Sequence, residues 1–391
     1  MIYLDHAAAT PVSPKALKAM EPYFTENFFN PSSPYLPATA VRQDYESAKN
    51  TIAHAIGAKG ADLIVTAGAT ESINLAFTSI STKKTRSFYA PTVLISAVEH
   101  PAVFANAERC GNFDTIKVDQ FGRIDLEDLA SKITSQTHLV SITLVSGELG
   151  TIQPISEVAH LIKAERQRRL KNADKAPIYL HCDASQGLGL IDVKISRLGV
   201  DMLTLNSAKI YGPKAVAALW AGHNVKLSPL IVGGGQEFGL RSGTENVPGT
   251  IGFATAIQEA EAHLPSECKR LAKLRNQLKT ALSKNPTIEF LGHPKTQLAN
   301  FLPITIPGLD AERLIFKLEQ QDLYISTGAA CSASKGIKSP TLGAIGLTDS
   351  QIAGSLRLTL GKLNDETNIA QAATILLSII KKEQERTHGK N

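Results

Sequence analysis

Three short stretches, each at the end of an apolar run, hold residue types that act chemically as a set. In "LIVTAGATES" (63 to 72) a β-branched run stops at Gly68 and a helical pattern starts at once through Ala69 and Thr70. Such a junction aims unpaired N–H groups and the positive end of a helix dipole at one spot, where a phosphate binds. In "PIYLHCDASQ" (177 to 186) Asp183 closes another run, three residues before Gln186. A carboxylate at the carboxyl end of a parallel strand faces the ligand crevice of an α/β sheet and suits a protonated ring nitrogen. In "MLTLNSAKIYGPK" (202 to 214) Lys209 follows a third run inside a tight Gly-Pro turn, where an amine suits Schiff-base chemistry. Singly, each has an ordinary reading as a tight connection or a surface charge. Together, and in this order, they are the phosphate cradle, ring-nitrogen partner and lysine that pyridoxal 5'-phosphate requires of a protein.

A fourth stretch, "STGAACSASKG" (326 to 336), sets Cys331 among small residues with no second Cys, His or carboxylate beside it. A lone thiol is ordinarily core filler, and Cys182, in the middle of an apolar run, is read that way. The four cysteines (Cys110, Cys182, Cys268, Cys331) make no CxxC or Cys/His spacing, so neither a zinc site nor a disulfide scaffold is expected.

Short apolar runs alternate with longer helical patterns through the first two thirds, which predicts a mostly parallel sheet covered on both faces. The runs are 63–66, 92–96, 139–145, 177–184, 202–206 and 216–220. Val41, Tyr45, Ala48, Ile52 and Ile56 recur at helical spacing until Gly57, predicting a helix over 37–56. Residues 13–25 predict an entry helix with Ser13 as N-cap and Pro14 in its first turn. From about residue 262 the pattern changes to a long helix, two short runs (287–292 and 300–308), a helix opened by Asp310, and an amphipathic last helix. The expected organisation is a large α/β domain (13–261) and a smaller α+β domain (1–12 with 262–391).

The 391 residues are 43% hydrophobic and 20% charged, as in ordinary folded chains. "MIYLDHAAATP" has no secretory pattern and no run reaches a membrane-spanning length, so a cytoplasmic location without membrane contact is the expectation. The net charge of +5 is mild. Its basic clusters, 163–175 and 381–391, lack interleaved aromatic residues, and no direct nucleic-acid binding is expected.

A wider set of motifs resembles one family along nearly the whole chain. "YLDHAAATPV", "FNPSSP", "EHPAV", "GTIQPI", "HCDASQ", "KIYGPK", "GGGQE", "RSGTEN", "ISTGAACSAS" and "SLRLTLG" run from residue 3 to residue 361 in the order found in cysteine desulfurases of the NifS/IscS type. The resemblance implies a fold-type I pyridoxal-phosphate transferase of the class V aminotransferase family. It implies a seven-stranded, mostly parallel sheet and a homodimer. It further implies that Lys209 carries the cofactor, Asp183 pairs with its ring nitrogen, Gln186 touches its ring hydroxyl and His100 stacks on the ring and assists proton transfer. Ala69 and Thr70 match the phosphate loop, and Thr244 matches the residue that reaches the neighbouring subunit's phosphate. Arg357 matches the clamp for the substrate carboxylate, a task suited to its planar fork.

Cys331 matches the sulfur acceptor, which takes sulfur from L-cysteine as a persulfide, leaves L-alanine, and serves a partner in iron–sulfur cluster assembly or tRNA thiolation. The same thiol is a candidate transient iron–sulfur ligand; no resident metal is implied. Two segments depart from the family pattern. "SGELG" has Ser146 and Gly147 where two asparagines are usual, and "NSAK" has Ala208 where an imidazole donor is usual, leaving Asn206 and Ser207 as the phosphate donors there. The alternatives are a selenocysteine lyase, another pyridoxal-phosphate lyase, and a catalytically weakened partner protein of the same fold.

Overall fold

The computed structural model describes residues 1–81, 91–328 and 339–388. Its main sheet has seven strands: β1 (Leu63–Thr66), β2 (Thr92–Ser96), β3 (Phe113–Ile116), β4 (Thr137–Thr143), β5 (Tyr179–Asp183), β6 (Met202–Asn206) and β7 (Ala217–Ala221), in the spatial order β1-β7-β6-β5-β4-β2-β3. Every strand runs parallel to its sheet mates except β7, which is antiparallel to both neighbours. The short link from Asn206 to Ala217 explains the reversal, because a parallel return needs a crossover of a dozen or more residues.

The runs read as strands because both sheet faces are covered; all of β1 and nearly all of β2, β4, β5, β6 and β7 are buried. β3 was not among the expected runs. Its sequence FDTI is polar and largely exposed, as an edge strand with one neighbour permits. Mid-sheet, His181 is fully buried, and its two ring nitrogens bond to Ser141 Oγ at 2.8 Å and Thr204 Oγ1 at 2.9 Å, tying β5 to both neighbours.

The helix Leu36–Ala55 buries Val41, Tyr45, Ala48 and Ile52 on the main core, as the spacing predicted. The entry segment divides into Pro14–Met20 and Pro22–Thr25, because Pro22 has no N–H to continue the first helix; Ser13 caps the start by accepting from Ala16 N. The helix Val247–Leu282 runs straight through residue 261. Its first half packs Phe253, Ala256 and Ile257 on the main core, and its second half packs Leu271, Leu274 and Leu278 on a second core with Leu4, Ile304 and Leu358. That second core lies on a four-stranded sheet in which Ser355–Thr359 pairs with both Phe301–Thr305 and Ser326–Thr327. The chain's start joins it, Ile2–Tyr3 pairing in parallel with Leu323–Tyr324.

One buried ionic cluster fixes the loop that follows β7. Lys49 Nζ donates to both Glu237 carboxylate oxygens at 3.1 Å, and Tyr45 Oη at 2.6 Å and Val65 N at 2.7 Å donate to the same group. Glu237 and Phe238 are held at φ of 47° and 60°, a left-handed backbone that non-glycine residues adopt at a cost. Lys49→Met would strand the Glu237 charge in the interior, where the pair is only 2% and 4% exposed. The expected loss is about 3–5 kcal/mol in urea unfolding, largely recovered in Lys49→Met/Glu237→Gln.

Candidate functional site

The parallel strands deliver their carboxyl ends to one edge of the sheet, and the candidate residues lie on or just after those ends. Asp183 is the last residue of β5 and is buried; its Oδ1 accepts from Ser185 N at 3.0 Å and Ser185 Oγ at 2.6 Å, which fixes the carboxylate. Lys209 ends the 3₁₀ turn Ser207–Lys209 after β6. Two residues, Ala67 and Gly68, separate the end of β1 from the helix Ala69–Ser81, so Ala69 and Thr70 form its first turn, with Thr70 exposed. Glu71 in that turn accepts from Ala67 N at 2.7 Å and pairs with Arg241 at 3.1 Å, so its charge is balanced rather than opposed to an incoming anion. His100 caps the helix Pro101–Cys110, its Nδ1 accepting from Ala102 N. Burial holds its imidazole below the ordinary range; Asp183 opposes that shift and Lys209 reinforces it. The ring thus senses both charges.

The residues from both domains meet on a strap formed by residues 5–10. Lys209 Nζ donates to Ala8 O at 2.5 Å, and Gln186 Nε2 donates to Ala7 O at 3.0 Å. Thr10 Oγ1 donates to Ala208 O at 3.1 Å and accepts from Tyr211 N at 2.8 Å. On the other side Arg357 Nη2 donates to Asp5 Oδ1 at 2.7 Å, while its Nη1 donates to Gly147 O at 3.0 Å. The strap is pinned to the small sheet by Ala7 N donating to Thr359 Oγ1 at 2.9 Å. Gly361 lets it pass, since a Cβ there would fall 2.1 Å from His6 Cδ2 and 2.2 Å from Tyr211 Oη.

Three further expected positions lie on or near these strand ends. The Ser207 hydroxyl is buried without a protein partner, 2.0 Å from where a Cβ on Gly212 would be. Asn206 commits its carbonyl end to Ala208 N at 3.1 Å, capping the turn. Thr244 is exposed on the loop anchored by Glu237. Cys331 lies outside the described residues. Gly147 adjoins Gln186, and a Cβ there would meet nothing closer than Gln186 Nε2 at 3.8 Å. Cys182 is fully buried in the main core, and burial pushes its thiol well up.

Sequence reasoning gave Asp5 and Glu99 no role, although each stands inside a quoted motif, "YLDHAAATPV" and "EHPAV". Glu99 is buried, and its Oε1 accepts from Ser96 Oγ and Thr143 N, both at 2.6 Å, while Oε2 has no partner. Burial pushes its carboxyl up to about 8, with the charge of Asp183 adding to the shift. At neutral pH Glu99 is thus a neutral acid behind Asp183, and environment separates the roles of two neighbouring carboxyls.

Residues 2–371 match the family Aminotransferase class-V. The chain is 36% identical over 386 residues to Cysteine desulfurase IscS 1 of Archaeoglobus fulgidus, covering 98% of this chain and 97% of that one. A solved NifS-like protein superposes with a TM-score of 0.88 at 29% identity, over 97% of this chain and 99% of its own. The structure of SspA in complex with cysteine superposes with a TM-score of 0.78 at 28% identity, over 92% and 99% of the two chains.

Glu99 generates a pH prediction. Its folded pKa, about 8, lies above the ordinary value of 4.5, so between those limits the folded chain holds a proton that the unfolded chain releases. Stability from this group is full below about pH 4.5 and falls as pH rises toward 8. In urea unfolding across that window, Glu99→Gln is expected to flatten the decline relative to the parent protein.

Proposed function

The chain belongs to the aminotransferase class-V family, among cysteine desulfurases of the NifS/IscS type, and from that premise we propose how its residues divide the labour. It removes sulfur from L-cysteine, leaving L-alanine, and carries the sulfur as a persulfide. The observation that supports this reading most is the convergence of Lys209, Gln186 and Arg357 on one strap beside Asp183, which joins an amine, a ring-nitrogen partner and a carboxylate clamp.

Pyridoxal 5'-phosphate fits this donor set. The first turn of the helix at Ala69 has N–H groups without intrahelical partners, and Thr70 adds a hydroxyl, as a phosphate requires. Lys209 is the attachment amine, Asp183 keeps the proton on the ring nitrogen, and Gln186 is placed for the ring hydroxyl. Once bound, the cofactor supplies an electron sink for the carbon that loses its proton.

The residues then act in turn. Arg357 binds the substrate carboxylate and orients the amino acid. Lys209 Nζ would take up and later return the α-proton. His100 would lie against the cofactor ring and assist proton movement at the reacting centre. The thiolate of Cys331 attacks the substrate sulfur: an S–S bond forms, the carbon–sulfur bond breaks, and the carbon keeps the electron pair and gains a proton to become the methyl of alanine. One sulfur atom thus moves from L-cysteine to Cys331 with no external oxidant. The persulfide passes to a sulfur-acceptor protein, such as an iron–sulfur scaffold, or toward tRNA thiolation. The active form is a homodimer in which the loop held by Glu237 presents Thr244 to the neighbour's phosphate; the 63% exposure of Phe238 on that loop supports this.

Mass spectrometry after exposure to L-cysteine is expected to find one added sulfur atom on the peptide carrying Cys331. Cys331→Ala is expected to lose that product and desulfurase turnover while retaining cofactor; alanine formation at the parent rate would overturn the role given to this thiol. Gly147→Asn has room for its Cβ and is expected to slow cofactor loss on dialysis about tenfold, the worth of one added hydrogen bond to a charged group.

A further inference from the structure

Arg357 is not idle before substrate arrives. Asp5 Oδ1 accepts from its Nη2 at 2.7 Å, and both side chains are largely buried, at 8% and 18% exposure. Among the described residues Asp5 is the one carboxylate in contact with this guanidinium; Glu148 is turned to Ser339 Oγ at 2.6 Å instead. The backbone of Asp5 cannot drift: it bridges to Thr359, Tyr3 Oη donates to its carbonyl at 2.9 Å, and Ala7 is tied to Thr359 Oγ1 two residues on.

We propose that Asp5 is a built-in stand-in for the substrate carboxylate, holding Arg357 when no amino acid is bound and competing with the amino acid for it. The inference rests on the assignment of Arg357 as the carboxylate clamp. An incoming carboxylate must share or displace the Asp5 contact, and two like charges on one guanidinium repel each other. Binding is weaker than a bare arginine would give, and the same repulsion acts on L-alanine, whose carboxylate is identical. Asp5 therefore drives product off the clamp and reclaims it, while its contact keeps the fork oriented for the next substrate. It is a positioning and specificity-determining residue that never touches the reacting sulfur.

The test uses holoenzyme and two non-reacting probes, L-alanine and L-alaninamide, whose binding is read from the change in cofactor absorption. The amide has the same amine and methyl but no carboxylate charge. Asp5→Asn keeps an oxygen acceptor for Nη2 and removes the charge; Asp5→Ser serves if the amide does not fold. The expected result is L-alanine bound about tenfold more tightly, with L-alaninamide unchanged. A merely structural role would shift both probes together. Unchanged or weaker L-alanine binding in both variants overturns the proposal. Arg357→Met separates the two assignments: it should abolish the preference for L-alanine over L-alaninamide, and a preference that survives it refutes the clamp itself.

Discussion

A six-residue strap near the chain's start, residues 5–10, is the constraint on which the site depends. It accepts hydrogen bonds from Arg357 at Asp5, from Gln186 at Ala7 and from Lys209 at Ala8. The lysine follows a strand of the main sheet and the arginine lies in the small one, so neither sheet alone sets the distance between the Lys209 amine and the Arg357 guanidinium. The strap does so because it is pinned on both sides, to Thr359 and to the Ser207–Lys209 turn through Thr10. Preorganisation of this kind removes the entropy of searching for a reactive arrangement from the chemical step.

Charge is handled by separating environments. Glu99 and Asp183 are neighbouring buried carboxyls, yet Glu99 is neutral at pH 7 because its second oxygen has no donor and no water reaches it. His181, buried one strand position earlier than Cys182, is pushed down to about 4 by desolvation and serves as a neutral link between strands. The buried Lys49–Glu237 pair holds a loop of left-handed backbone in place.

Much of this was legible because strand ends in a parallel sheet are marked in sequence. β1, β2 and β6 end where their apolar runs end, and Asp183 and Lys209 could be placed at the sheet edge from those runs alone. β3 was invisible, since an edge strand with one neighbour needs no continuous apolar run. The strap was quoted as a motif, but its role was hidden: its contacts span from about 180 to more than 350 residues of chain, and backbone carbonyls accept most of them. The close approach of Gly212 to the Ser207 hydroxyl, 2.0 Å for a Cβ at Gly212, is likewise a contact that residue types do not announce. The change of pattern expected at 261–262 falls within one continuous helix whose apolar stripe changes partner along its length.

The claim that the strap presents Lys209 as the attachment amine is tested most directly by borohydride reduction of the holoenzyme followed by peptide mapping. The account predicts a pyridoxyl group on the peptide containing Lys209, one per chain. Modification at another lysine, or a chain that binds the cofactor yet yields no reduced adduct, would contradict it.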